Sequence, residues 1–378
     1  MEDMKVAIIG AGIAGLTMGI ALKKANIPFV IYESTEKIKP VGAGIAIANN
    51  AMQVYRHLGV SDQLTQRGTR ISKVRLTDMN LNILTQSDLI AFEQKYQLVN
   101  IAIHRSDLHH VLLEEVGMEH IVLNKRLEDV SLDTEGLYTL CFTDGSTVTH
   151  EYVVGADGIR SQVRQKIFGD YPLRDAKQVC WRGVLNIDLS TDYDHIALEG
   201  WGRGERFGFV KLEGKQVYWY FLVNEDKYLK NQDLSVLIKD CSPLVKDMIM
   251  QTAEADIFLN KIYDLPLIQE WSKDKVCIIG DAAHATTPNL GQGACQAIED
   301  VYIISKLLEK HSLVEAFHKF TSIRREKVSQ IVRDSWRMGQ VSQFSNPLIT
   351  SVRNMAFRFA PSFLKDKQIS MMFELQEV

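Results

Sequence analysis

Apolar residues gather along this chain in two rhythms, and the switches between them mark out its parts. Residues 4–9 read as a buried strand, with Val6, Ala7, Ile8 and Ile9 in a run and Lys5 the only charge. Residues 16–25 follow as a helix that is apolar most of the way round, and Phe29-Val30-Ile31-Tyr32 predicts a second buried strand ending at Glu33. Far downstream, residues 276–279 predict another apolar strand and residues 295–308 a long helix. Between these lie stretches of period two. Residues 139–154 read as a meander that turns at Thr143-Asp144-Gly145-Ser146. Residues 179–189 and 196–223 alternate and are rich in aromatics, which predicts a mainly antiparallel sheet, and residues 72–98 are expected to add strands to the same layer. In Val217-Tyr218-Trp219-Tyr220-Phe221 the period sets Tyr218 and Tyr220 on one face and Trp219 on the other. Residues 313–378 read as helical, broken at Asn346-Pro347.

The first of these stretches has a chemistry as well as a shape. Gly10-Ala11-Gly12-Ile13-Ala14-Gly15 joins the first strand to its helix. Gly10 permits the tight turn, Gly12 leaves room for a pyrophosphate to approach the backbone, and Gly15 lets helix and sheet pack closely. The helix start offers unpaired N–H groups and the positive end of its dipole to phosphates. Glu33 lies where a carboxylate accepts from ribose hydroxyls. FAD and NAD both use such a unit, so it does not choose between them. The second motif favours FAD. Gly280-Asp281-Ala282-Ala283-His284 ends the downstream strand, and Pro288-Asn289-Leu290-Gly291-Gln292-Gly293-Ala294 opens the long helix. Asp281 can bond a polyol hydroxyl, and a second helix dipole aimed at a flavin would stabilise the reduced, anionic ring.

Bulk properties narrow the field only a little. At 378 residues the chain suits two domains, or one with a large insertion, and its net charge of -4 gives no argument for nucleic acid or an anionic membrane. Cys141, Cys180, Cys241, Cys277 and Cys295 are scattered with no C-x-x-C pair, so no metal site or redox dithiol is expected and a reduced, cytoplasmic protein is. Residues 6–22 could pass for a leader or membrane span, but three spaced glycines break the run, and no integral membrane segment is expected.

Together the motifs resemble the FAD-dependent aromatic hydroxylases, the single-component flavoprotein monooxygenases. Val154-Gly155-Ala156-Asp157-Gly158-Ile159-Arg160-Ser161 is similar to that family's DG motif, and His104-Arg105-Ser106-Asp107-Leu108 to its flavin-contacting arginine segment. The resemblance implies a Rossmann-like FAD-binding domain of α/β class, an inserted, mainly antiparallel β-sheet substrate domain and a C-terminal helical segment. The expected division is residues 1–71, 100–176 and 266–325 for FAD, 72–99 and 177–265 for substrate, and 326–378 for the C-terminal helices. The candidate cofactor-binding set is Gly10, Gly12, Gly15, Glu33, Gly44, Arg105, Leu127, Asp157, Asp281, Gly291, Gly293 and Ala294. His284 reads as a support for its loop rather than a base.

Within the family the chain looks most like the urate-hydroxylase and salicylate-hydroxylase branch, through Lys39-Pro40-Val41-Gly42 and Thr286-Thr287-Pro288. That branch holds its purine with an arginine and a tyrosine on adjacent strands, and Arg206 and Tyr218 occupy the matching positions. It places an aspartate after the third motif's proline, where this chain has Asn289. An amide cannot serve as a base, so another electron-rich heteroaromatic or phenolic substrate is expected. The resemblance implies that NADH or NADPH reduces the flavin transiently, that O2 adds to give a C4a-hydroperoxide, and that Pro288 shapes the place where it does so. Two rivals stay open: a flavin dehydrogenase or reductase without oxygen transfer, and a non-catalytic flavin-binding protein. The C-terminal segment, with Arg353, Arg358, Lys365 and Lys367 among apolar residues, either packs back on the core or lies on a membrane surface.

Overall fold

Strand β1 (Val6–Ile9) lies inside a parallel sheet in the computed structural model, which describes residues 5–38 and 43–378, the side chains of 362–365 excepted. The Lys39-Pro40-Val41-Gly42 segment lies outside the described residues. Beside β1 run β2 (Phe29–Tyr32), followed by β8 (Ile121–Val122), and on the other side β12 (Tyr152–Gly155), β19 (Val276–Ile278) and β18 (Ser272–Lys273), the last antiparallel. All four β1 residues are buried, as a strand covered on both faces requires. Helix α1 (Ile13–Lys24) is apolar most of the way round because it is packed by α5 (Arg105–Val116) and by α10 (Gly293–Leu308) as well as by the sheet.

A three-stranded sheet of β9 (Leu127–Leu132), β10 (Tyr138–Phe142) and β11 (Thr147–His150) flanks this core. The meander expected over residues 139–154 therefore ends at β11. Strand β12 is continuously apolar and leaves to pair with β1, where both its faces are covered. A second small sheet is ordered β3-β7-β4, from β3 (Gly44–Ile47), β4 (Thr69–Ile71) and β7 (Asn100–His104). Helices α2 (Asn49–Leu58), α3 (Ser61–Arg67) and α4 (Ile90–Tyr96) lie between these strands in sequence.

The largest sheet has seven strands in the order β17-β13-β16-β15-β14-β5-β6. They are β5 (Lys73–Asp78), β6 (Ile83–Asp88), β13 (Arg174–Asn186), β14 (Ile196–Trp201), β15 (Glu205–Lys211), β16 (Gln216–Asn224) and β17 (Ile257–Asp264). Only the β5–β14 pairing is parallel. Alternation decides its two faces. Trp181, Phe207, Phe209, Val217, Trp219 and Phe221 form an outer core with Val245, Met248 and Ile249 of α8 (Pro243–Gln251), reached through α6 (Glu225–Lys230) and α7 (Leu234–Leu237). The Trp219 indole N–H is satisfied there by Thr252 Oγ1 at 2.8 Å. The opposite face carries Arg182, Val184, Ala197, Glu199, Arg206, Val210, Tyr218 and Tyr220.

After β19 come α9 (Asp281–His284), α10 and α11 (Leu313–Ser342), whose first turn is fixed by a capping box between Ser312 and Glu315. Between α10 and α11 lies a buried ionic knot. Arg324 donates to Asp300 Oδ1 at 2.9 Å and Glu299 Oε1 at 2.6 Å, and Lys327 Nζ reaches Glu299 at 2.8 Å. Gln376 and the carbonyl of Glu374 complete the shell from the C-terminal side. Helices α12 (Pro347–Arg358) and α13 (Ser362–Phe373) follow. Among the described residues no helix is long and apolar enough to cross a membrane.

Candidate active site

The glycine turn is built as its spacing requires. Gly10 has φ +102°, and a methyl group there would lie 2.6 Å from the Ala156 carbonyl oxygen. One on Gly15 would come within 1.9 Å of the Gly10 oxygen, while beside Gly12 the space is open. Helix α1 has no side-chain cap and no acid in its first turn, so among the described residues no side chain caps its N–H groups. Glu33 accepts from the Ala11 N–H at 2.8 Å and the Thr35 N–H at 2.9 Å, which fixes its carboxylate at the end of β2 beside that helix start. His109, which the sequence reading passed over, bonds the Ala11 carbonyl oxygen at 2.7 Å and holds the turn from α5.

The downstream motif meets this turn. Gly280, at φ +58°, sits where a methyl would lie 2.8 Å from Ala297 Cβ and 3.3 Å from Ala14 Cβ. The two helix starts are thereby brought side by side. Helix α10 also lacks a side-chain cap and a first-turn acid. Gly291 is exposed, Gly293 and Ala294 are half-buried, and the nearby Thr286 hydroxyl is buried without a partner. Asp281 is exposed to solvent, and the protein packed around its carboxyl raises its pKa, against the pull of His284 and Arg105. His284 is buried and bonded to Asp300 Oδ2 at 2.6 Å, and the same oxygen accepts the Gly280 N–H at 2.9 Å, so the histidine braces the loop.

The residues fit FAD: two uncapped helix starts for its phosphates and ring, Glu33 for a ribose, and Asp281 with the unpartnered Thr286 hydroxyl in the space between. Arg105 opens α5 and is exposed, and among the described residues its guanidinium makes no hydrogen bond; it lies near Asp281 and Tyr218. Two other candidates are placed differently from expectation. The Leu127 side chain is buried in the core with Val130, Leu140 and Phe142, which leaves only its backbone to meet a nucleotide. The Asp157 carboxylate accepts from Ser161 Oγ at 2.5 Å and from the Gln162 and Val163 N–H groups at 2.7 and 3.2 Å. It shapes its own turn, and burial raises its pKa despite those bonds.

On the inner face of the large sheet, the four residues expected to act on substrate divide. Tyr218 packs on Gly44, where a methyl would come within 2.4 Å of Tyr218 Cβ and Cγ, so one member of the cofactor set and one of the substrate set share a contact. Burial pushes the Tyr218 phenol up to about 12, against the pull of Arg182 and Arg105. Tyr218, Val184, Ala197 and Leu290 pack against an apolar cluster of Val210, Leu212, Met372 and Phe373. Pro288 is exposed at the head of a short 3-10 turn, Pro288–Leu290, that faces this sheet through Leu290.

Arg206, expected to hold substrate, is bonded within the protein. It is 2% exposed, and its guanidinium donates to Asn289 Oδ1, to Glu199 Oε1 at 3.2 Å and to Ser342 Oγ at 3.3 Å. The Asn289 amide in turn donates to Thr287 Oγ1 at 2.8 Å and to the Ser335 carbonyl at 2.7 Å, and Gly339 of α11 leaves it room. Both side chains tie the Pro288 turn to β15 and α11. The cations near Tyr218 are Arg182, on β13, and Arg105. Glu199 went unseen in the sequence: it accepts from Tyr220, Trp201 and Arg206 and organises this face. Only the period-two alternation hinted at it.

Comparison with known proteins agrees with this geometry. The family described as "FAD binding domain" matches residues 3–335. The chain is 31% identical over 365 residues to the aurachin C monooxygenase/isomerase of Stigmatella aurantiaca, covering 95% of each chain. It is 29% identical over 369 residues to the 2-heptyl-3-hydroxy-4(1H)-quinolone synthase of Pseudomonas aeruginosa, again covering 95% of each. The solved structure of Klebsiella pneumoniae HpxO complexed with FAD and uric acid superposes with a TM-score of 0.88 at 24% identity, over 98% of this chain and 96% of that one, a likeness of fold.

Proposed function

The chain belongs to the FAD binding domain family, and from that premise we propose what this FAD-dependent monooxygenase does: it consumes NADH or NADPH and O2 to hydroxylate a small electron-rich heteroaromatic substrate. The observation that carries the reading is the meeting of the two uncapped helix starts, with Gly280 wedged between Ala14 and Ala297. Bound there, FAD would supply reduction by the nicotinamide and transfer of one oxygen atom from O2.

The chain's own part is to hold, orient and keep dry. Gly10, Gly12, Gly15, Glu33, Arg105, Asp281, Gly291, Gly293 and Ala294 are proposed as the cofactor contacts, with Gly44 shaping the approach to Tyr218. Tyr218 remains a neutral hydroxyl at any physiological pH and can donate to a ring oxygen, while Arg182 beside it would favour an anionic, more nucleophilic form of the ring. The apolar lining from Val184, Val210, Leu290 and Met372 excludes water. Arg206 and Asn289 position the Pro288 turn without touching substrate. This lining, together with the quinolone named for one relative, supports a fused heteroaromatic ring bearing an aliphatic substituent. Five unpaired cysteines suit a cytoplasmic location.

The test is NADH or NADPH oxidation by the FAD-loaded protein, in air and without oxygen, as 4-quinolones and purines are added. The proposal expects a quinolone to accelerate oxidation and to gain one oxygen atom only in air. Equal turnover without oxygen would make the protein a reductase, and no acceleration by any aromatic ligand would refute hydroxylation.

A further inference from the structure

Helix α12 is inside out. Its buried residues are Thr350 and Arg353, while Leu348 is 78%, Val352 67% and Met355 61% exposed, and Phe359 just beyond its end is 76% exposed. These four recur at spacings of four, three and four and so form one stripe, which Ile349 widens. The orientation is fixed from below. Arg353 donates to the Ser342 carbonyl at 2.8 Å and the Gly202 carbonyl at 3.0 Å and lies over the Trp201 ring at 5.2 Å, and Phe357 meets the same ring at 4.8 Å. The helix starts cleanly on Pro347, with Asn346 capping the Leu348 and Ile349 N–H groups. Such an apolar stripe on a well-anchored helix marks an interaction surface.

Charge identifies what it fits. From residue 335 to residue 365 the sequence has no aspartate or glutamate, although the chain has 47 of them, and it carries Arg337, Arg353, Arg358 and Lys365. Arg358 is exposed at the end of the stripe. A second copy docked through α12 about a two-fold axis would bring no carboxylate on that helix to meet Arg358. An apolar stripe with an exposed arginine at its end suits a flat, negatively charged apolar boundary. We propose that α12 is a docking face for an anionic lipid surface. It leads into α13, whose Ile369 and Met371 pack on the same apolar cluster as Tyr218.

The experiment is flotation of the full-length, FAD-loaded protein with vesicles of phosphatidylcholine alone and of phosphatidylcholine mixed equally with phosphatidylglycerol. The wild type should float with the mixed vesicles, and added salt should weaken it. Leu348→Ser combined with Val352→Ser should lower binding by about tenfold or more, and Arg358→Glu several-fold, each with an unchanged melting temperature and unchanged NAD(P)H oxidation in solution. Failure of the wild type to float with mixed vesicles, equal flotation of the double variant, or a dimer split by the same substitutions would each overturn the proposal.

Discussion

Gly44→Ala joins the two halves of the site in one measurement. The added methyl would stand 2.4 Å from both Cβ and Cγ of Tyr218 and 2.8 Å from Cδ1. Carbon atoms rest at about 3.5–4.0 Å, so roughly 1 Å of separation must be found. Rotation cannot supply it, because the clash includes the Tyr218 Cβ, which is fixed to β16 between β13 and β15. Either β3 or β16 must shift. Overpacking of this kind costs about 1–3 kcal/mol, and a displacement near 1 Å at a substrate-orienting group costs about 10²-fold in rate. Tyr218→Ala takes away the Cγ and Cδ1 contacts and keeps the Cβ one, so it should relieve the clash in part. Urea unfolding midpoints of Gly44→Ala, Tyr218→Ala and the pair form a double-mutant cycle, and the pair should be more stable than additivity allows by about 1 kcal/mol or more. If Gly44→Ala unfolds at the wild-type urea concentration, or if the two effects simply add, the contact does not limit the site and the reasoning fails.

Three further outcomes follow from the structure. Arg324→Met removes the cation that Glu299 and Asp300 share, leaving Lys327 to the one and His284 to the other, and should lower stability by about 3–5 kcal/mol in urea unfolding; a loss near zero would mean that water reaches the knot. Glu33→Gln removes a charge-assisted acceptor and should weaken FAD by about tenfold or more, read from quenching of flavin fluorescence on binding. Asp300 supplies a pH test. Burial raises its carboxyl, but His284, Arg324 and the Gly280 N–H outweigh it, so its folded pKa lies below the ordinary value. A depressed carboxyl contributes stability that is fully present above the unfolded pKa of about 3.9 and is lost as pH falls through the folded value. Acid unfolding should therefore steepen below about pH 4, and Asp300→Asn should flatten that limb while lowering stability at neutral pH.

What the sequence disclosed was local. Gly10, Gly12 and Gly15 declare their turn because backbone geometry admits few residues there, and Gly280 does the same for the second turn. Continuous apolar runs revealed β1, β2 and β19, and alternation separated Trp219 from Tyr218. What stayed hidden depended on distant packing. Nothing near Arg206 in sequence shows that Ser342 and Asn289 close over it, or that Arg182 takes the place beside Tyr218. Asp157 misleads for the opposite reason, since its partners are the next few residues of its own turn. The sequence left α12 open between core and surface because an apolar helix face ordinarily points inward, and here Arg353 holds it outward.

The parallel sheet also constrains the order in which the molecule can assemble. Ile8 lies beside Val154, which lies beside Cys277, so three neighbouring strands come from the beginning, middle and far third of the chain. No short segment can form the crevice, and the entropy of closing two very long loops must be met before any nucleotide finds both helix starts. Collapse of the seven-stranded sheet, whose β13, β15 and β16 are near in sequence, can come earlier. Recovery of flavin binding during refolding should accordingly lag behind burial of Trp219, and free FAD added at the outset should raise the final yield more than the initial rate.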